Sequence, residues 1–315
     1  MAPNSAPILG FSGSMSGVTA PAPATRRFSD AALAWYFVTV WGSGFVATKI
    51  GLQYTAPFTF LALRFLLGIV LLAPLVWWMK APWPQGLREW LHVLVAGILM
   101  HAVHLSGSHY SQYLGLPAGV TAIILALQPL LTTLIAMHYL AERPAAAQIA
   151  GIALGFFGVA LVVWHKVGFD AVSAGALLAV TIALLALTAA TLYQRRFCPA
   201  VDLRSGALIQ FAASLAVTAP LAVGVEGFAI RWNVALVASI AFLVVFASIF
   251  AVNALHTLMR HNEASRVSGM LYLPPAFAVL AEWLFFGAWP APLSLLGMVI
   301  TCVGVALAMR GRKAS

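Results

Sequence analysis

Few side chains in this sequence offer chemistry, and most of those that do sit inside long apolar runs. Arg64 interrupts one such run, Leu61-Ala62-Leu63-Arg64-Phe65-Leu66. A charge at that depth of a membrane costs on the order of 3 kcal/mol or more, so it marks a functional position by default. Its planar fork could grip a solute carboxylate through two parallel bonds. It could equally cap the carbonyls of a broken helix or hold two parts of the chain together. His101 and His104 stand at i and i+3, which on an α-helix puts them on one face. Imidazoles titrate near neutrality, so the pair could relay a proton, hydrogen-bond a solute or play a structural part. A metal site needs a third ligand, and no acidic neighbour supplies one. No catalytic constellation forms either: Ser106 and Ser108 are close by, but nothing beside them would activate a hydroxyl. Trp41, Gln128 and Tyr272 fall near the middles of their runs, with Pro274-Pro275 and Phe277 following Tyr272. Asn253 and His256 lie at i and i+3 toward the end of another run. Paired prolines free carbonyls, which a membrane tolerates where a cavity is lined.

The elements that must carry these residues follow from composition. The chain has 315 residues, 62% hydrophobic and 8% charged, with a mean hydropathy of +0.96. Soluble domains are about a quarter charged. This balance excludes a soluble enzyme, a disordered chain and a nucleic-acid binder, and leaves a polytopic helical membrane protein. Residues 1–30, rich in Ala, Pro, Ser and Gly, form a tail that buries no core. Ten runs follow, at 31–50, 57–78, 90–113, 117–140, 148–165, 174–193, 204–224, 234–258, 264–286 and 291–309. The third and fourth are parted by Gly115-Leu116-Pro117 alone, and merging them gives nine. The two cysteines, Cys198 and Cys302, make no disulfide framework. No phosphate-binding glycine loop is present, so ATP does not drive the protein, and no bound cofactor is implied.

The net charge of +9 is spread between the runs, one to three residues at a time. With the N-terminus inside, thirteen of the 17 basic residues flank the inner ends and three the outer ends. The positive-inside rule then puts both termini in the cytoplasm of a multi-pass inner-membrane protein. No Asp or Glu lies at mid-depth. With Arg64 available, the field favours anionic, zwitterionic or neutral solutes over cations.

The chain also repeats itself. A shift of 146 residues lays Ala73-Pro74 on Ala219-Pro220, Pro129 on Pro275, Gly151 on Gly297 and Gly158-Val159-Ala160-Leu161 on Gly304-Val305-Ala306-Leu307. The same shift pairs Arg64 with Gln210. Each half holds five runs. Five is odd, so the second half enters the membrane from the opposite side, an arrangement found in secondary transporters.

The stretch Ala118-Gly119-Val120, Leu127-Gln128-Pro129-Leu130, Glu142-Arg143-Pro144, Gly151 and Gly158-Val159 resembles the fourth and fifth helices of an EamA-type repeat, as in the drug/metabolite transporter superfamily. Trp41-Gly42-Ser43, Ala62-Leu63-Arg64-Phe65 and, in the second copy, Ala264-Ser265-Arg266-Val267-Ser268 with Pro275 fit the same pattern. Glu142 departs from it, because its counterpart is Ala288. The resemblance implies an all-α fold of ten transmembrane helices in two inverted five-helix repeats, residues 31–165 and 174–310. It implies a carrier of amino acids or similar metabolites, commonly an exporter, whose partners are a small solute and membrane lipid. Trp41, Arg64, His101, His104, Gln128, Asn253 and Tyr272 are the expected solute-binding residues. The rival classes are an intramembrane enzyme and a passive channel or lipid-flipping protein.

Overall fold

A computed structural model describes residues 24–140, 145–169, 172–250, 273–287 and 289–310. Eleven helical segments are seen among them: α1 Ala24–Gly51, α2 Pro57–Trp78, α3 Leu87–Tyr113, α4 Ala118–Leu125, α5 Gln128–Leu140, α6 Ala146–Phe169, α7 Ala174–Phe197, α8 Leu203–Gly224, α9 Val234–Ala241, α10 Pro274–Phe286 and α11 Pro292–Arg310. The described residues hold no strand beyond an isolated antiparallel bridge, Thr55 to Ile230. Five stretches are long and apolar enough to cross a membrane: Pro57–Trp78, Leu87–Tyr113, Ala118–Ile135, Ala174–Phe197 and Leu203–Gly224. Shorter apolar stretches lie in α6, α9, α10 and α11.

Local sequence explains the breaks. Gly115 takes φ +97° between α3 and α4, a left-handed conformation open to glycine, and Pro117 starts the next helix. The fourth run is not continuous. It breaks at Ala126 and Leu127, just ahead of Pro129, whose ring displaces the carbonyl one turn earlier. Pro275, its repeat mate, sits in the first turn of α10. The first helix starts at Ala24, seven residues ahead of the apolar run, so it takes in Arg26 and Arg27.

Two stretches widen into π-helix: Ile98–Val103 inside α3, and Phe242–Phe250 continuing α9. The 146-residue shift places the first within the second. The helix pairings obey the same exchange. The pairs α2–α8 and α6–α11 join equivalent helices of the two halves. The pair α3–α7 is answered by α1 against α9 and its π extension.

The α6–α11 contact is made by glycines. A methyl group on Gly151 would lie 2.6 Å from the Gly304 carbonyl oxygen, and one on Gly158 2.5 Å from that of Gly297. Under the shift, Gly151 with Gly304 becomes Gly297 with Gly158. The pairing is therefore its own image, and rising numbers on α6 meet falling numbers on α11. Equivalent helices of the two halves run antiparallel here. In lipid there is little hydrophobic drive between helices, so such close approach of backbones supplies much of the attraction.

Large apolar side chains point outward where a soluble protein would carry charge. Trp77, Trp78, Trp164, Trp232 and Trp289 are all well exposed. They gather near helix ends, as aromatic rings do at membrane interfaces.

Candidate functional site

The two repeat mates Arg64 and Gln210 lie on α2 and α8, helices that pack on each other through the phenylalanines that follow these two residues. Phe65 and Phe211, also repeat mates, face each other with ring centroids 5.7 Å apart. Gly68 makes this possible, because a methyl group there would meet the Phe211 ring at 2.7 Å.

Each polar mate then reaches a π-helical turn of a neighbouring span. Arg64 donates from Nη2 to Ser248 Oγ at 3.2 Å, and the Ser248 hydroxyl donates in turn to the Leu243 carbonyl at 2.9 Å. Gln210 Oε1 lies 3.2 Å from His101 Nε2. His101 and Ser248 stand at equivalent places to within one residue under the 146-residue shift. One polar linkage is thus built twice, once with a cation and once with an amide. Widened turns leave backbone groups poorly matched and recur at functional sites. Among the described residues no carboxylate pairs with Arg64, so most donors of its fork are left for another acceptor.

The two histidines part company. His101 meets α8 and packs edge-on to Phe211 at 5.1 Å, whereas His104 Nδ1 donates to the Ala183 carbonyl of α7 at 3.0 Å. The one-face expectation assumed regular α-helix. The stretch Ile98–Val103, which includes His101, is π-helical, so that spacing does not hold here. His104 thereby takes up a structural hydrogen bond.

Trp41 is 41% exposed and packs on Phe37 at 5.0 Å. Its neighbour Gly42 lets α1 press on the start of α10, since a methyl group there would fall 2.7 Å from the Pro274 carbonyl. Gln128, half-buried, turns back along its own helix and donates from Nε2 to Thr132 Oγ1 at 3.0 Å. Asn253, His256 and Tyr272 lie outside the described residues, as do Glu142, Ala288 and the stretch 264–268. The structure thus joins Gln210 and His101 with Phe65 and Phe211, holds Arg64 on Ser248, and leaves Trp41, His104 and Gln128 in other contacts.

Two further carboxylates, Glu226 and Glu282, hold helix starts. Helices α7, α8 and α9 start with their own capping side chains, Ser173, Asp202 and Asn233. Asp202 also bonds the Arg204 guanidinium, which holds its carboxyl below the usual range. Helices α2 and α4 start with Ala56 and Pro117, which cap nothing. The orphan N–H groups of a helix start, at the positive end of its dipole, call for an anion. Glu226 answers for α2: its carboxylate accepts from the N–H of Phe58 and Thr59 at 2.9 and 2.7 Å, and from Thr59 Oγ1 and the Tyr110 hydroxyl. Glu282 answers for α4, accepting from Ala118 and Gly119 N–H at 3.1 and 2.9 Å while pairing with Lys49. Lys49, at the end of α1, thus holds a buried carboxylate. In both cases an acid of the second half caps a helix of the first. The missing caps at Ala56 and Pro117 were the sequence signal for both. Both links lie at the end of the bundle that holds Thr55. There, too, Thr55 Oγ1 donates to the Ala229 carbonyl and Arg231 N–H to the Tyr54 carbonyl.

An all-helical membrane protein of two related halves, with a polar crossing between them, has the architecture of a transporter. The chain belongs to the EamA-like transporter family, which matches it twice, over residues 31–164 and 173–310. It is 27% identical to the uncharacterized transporter YvbV of Bacillus subtilis, over 93% of this chain and 94% of that one. It is 23% identical to the uncharacterized inner membrane transporter YedA of Escherichia coli K12, over 87% and 88%. A probable amino-acid metabolite efflux pump of Escherichia coli K12 is 30% identical over 42% of each chain. A solved crystal structure shares the fold, with a TM-score of 0.62 and 19% identity over 90% of this chain and 99% of that one. The family and these relatives point away from an enzyme.

Proposed function

We propose that the protein is a secondary carrier of the inner membrane that exports an amino acid or similar small metabolite by alternating access. The duplicated linkage of Arg64 and Gln210 to the two π turns carries this reading. A site built twice on equivalent elements has two related arrangements open to it, and rocking one half against the other interchanges them. Ten spans in two inverted repeats, 31–165 and 174–310, would surround a path through the α2–α8 crossing, with both termini in the cytoplasm. The antiparallel α6–α11 glycine contact supports the inversion. Arg64 would receive the solute's carboxylate and Gln210 and His101 its hydrogen-bonding groups. Trp41, Gln128 and Tyr272 would line the path, with Asn253 toward the inside and His104 bracing α3 from beside it. The relatives named as transporters, and the efflux pump over part of the chain, support the class of solute.

Orientation is tested by fusions. A reporter active only in the cytoplasm, placed after Ser315, should be active, and one active only outside, placed after Lys166, should be active too. A silent C-terminal fusion would reverse the orientation. The carrier mechanism itself is tested by counterflow of labelled solute in liposomes, which a channel or an enzyme does not give.

A further inference from the structure

On the turn of α3 that meets the Glu226 linkage lie buried polar groups that no described residue hydrogen-bonds. His109 and Gln112 are 2% and 7% exposed. Both ring nitrogens of His109 and both amide atoms of Gln112 lack a hydrogen-bond partner among the described residues. The Leu105 carbonyl one turn back lies near the His109 ring but outside bonding geometry. Buried polar groups are nearly always satisfied, and an exception calls for a reason. Packing gives none here: the His109 ring rests on Phe60 at 5.6 Å, a contact an apolar ring would make as well. They lie farther along α3 than His101, toward the Thr55 end. Eight residues of helix part His101 from His109, roughly 12 Å of rise, so the two are separate stations.

We infer that His109 and Gln112 form a second polar subsite, for a zwitterionic or neutral solute, closed in this structure by the linkage of Glu226 to Tyr110 and the start of α2. The inference rests on the transport reading above. A neutral imidazole and an amide offer donors and acceptors without net charge. They suit the amide, hydroxyl or backbone-like groups of an amino acid and give an isolated ion no counter-charge. The lid reaches His109 through α2: the His109 ring rests on Phe60, the residue after Thr59, whose N–H and hydroxyl both donate to Glu226. Glu226 belongs to the second half, and the α2 start and Tyr110 to the first. Parting the halves at this end breaks those bonds and opens His109 and Gln112 to water and solute.

The test is accessibility of single cysteines, read without any transport assay. The full chain, with Cys198 and Cys302 replaced by Ser, carries Gln112→Cys or His109→Cys and is labelled in liposomes with a membrane-impermeant maleimide. Labelling should be slow with Glu226 intact and about tenfold faster with Glu226→Ala. Tyr110→Phe, a gentler opening, should give a smaller increase in the same direction if Glu226→Ala fails to fold. An excess of mixed zwitterionic amino acids should slow labelling at both positions and leave a control cysteine at exposed position 225 unaffected. Equal labelling with and without Glu226, no labelling in the opened variants, or no protection by the mixture would each overturn the subsite. A chain that labels and is protected but gives no counterflow would lose the carrier reading and keep the subsite.

Discussion

Replacing Arg64 with Gln should leave the protein folded and inserted but cut transport of an acidic solute roughly tenfold to a hundredfold more than transport of its amide, a difference of about 1.4 to 2.8 kcal/mol. The structure gives the physical reason. Among the described residues Arg64 is held by a neutral hydroxyl, that of Ser248, and no carboxylate discharges it. Its charge is therefore open to a mobile anion. The equivalent position already carries an uncharged amide, Gln210, which the same surroundings accommodate, so Arg64→Gln makes the two halves alike without a packing defect. Arg64→Lys should restore transport of the acid only in part. An ammonium keeps the charge but loses the planar two-bond geometry. His101→Ala should behave differently, because the hydrogen bond it removes is the one to the uncharged Gln210. It should change which solutes are preferred, with the acid and its amide affected alike. The measurement is uptake into liposomes for a matched acid and amide. Equal loss of both in Arg64→Gln would make Arg64 a gating or structural residue.

The second large effect concerns stability. Gly158→Ala and Gly151→Ala should each destabilise the protein by about 1–3 kcal/mol, and Gly158→Leu should stop it from accumulating. A methyl group at these positions meets main-chain atoms of α11, at 2.5 Å for Gly158 and 2.6 Å for Gly151. Backbone cannot swing aside as a side chain can, so α6 and α11 must separate. Alanine is the better helix former by about 1 kcal/mol, which acts in the opposite direction but is the smaller effect. Gly224, at the end of α8, is the control: a methyl group there meets nothing within 4 Å, so Gly224→Ala should be neutral or slightly stabilising. Thermal unfolding of the detergent-solubilised protein reads the three alanine variants, and the amount of protein in the membrane reads Gly158→Leu. Equal values for Gly158→Ala and Gly224→Ala would show that the two helices do not need their close approach.

How much of this was legible beforehand depends on whether a feature is local. The turn at Gly115 to Pro117 and the apolar stretches follow from backbone chemistry within a few residues, and the sequence places them; the break ahead of Pro129 is equally local, but the fourth run reads as continuous by hydrophobicity alone. The repeat was legible because glycines and prolines record backbone constraints: the pairs Gly151–Gly297 and Gly158–Gly304 turned out to hold a single helix contact. Arg64 was legible because an unneutralised charge in an apolar run has few explanations. Relations between distant segments were not. Nothing near Glu226 in sequence announces that it caps a helix some 170 residues earlier, although the bare starts at Ala56 and Pro117 show that some anion is wanted. The divergence of His101 and His104 was hidden for another reason. Spacing arguments assume 3.6 residues per turn, and a π turn that includes His101 breaks that assumption without leaving a proline or glycine to mark it. The lone polar groups of His109 and Gln112 were hidden too, since only the packed structure reveals which buried side chains lack a partner.

The central claim is that the two halves rock about the Arg64–Gln210 crossing and expose one solute site to each side in turn. Counterflow tests this most directly. Purified protein in liposomes is loaded with an excess of unlabelled amino acid and diluted into a trace of the same amino acid in labelled form. An alternating-access carrier makes the label accumulate inside transiently above its outside concentration, saturably, and only while the internal excess lasts. The account predicts that overshoot for at least one amino acid in a mixed panel, and its suppression for an acidic solute by Arg64→Gln. Label that merely equilibrates, at a rate indifferent to the internal load, would contradict it and leave a channel.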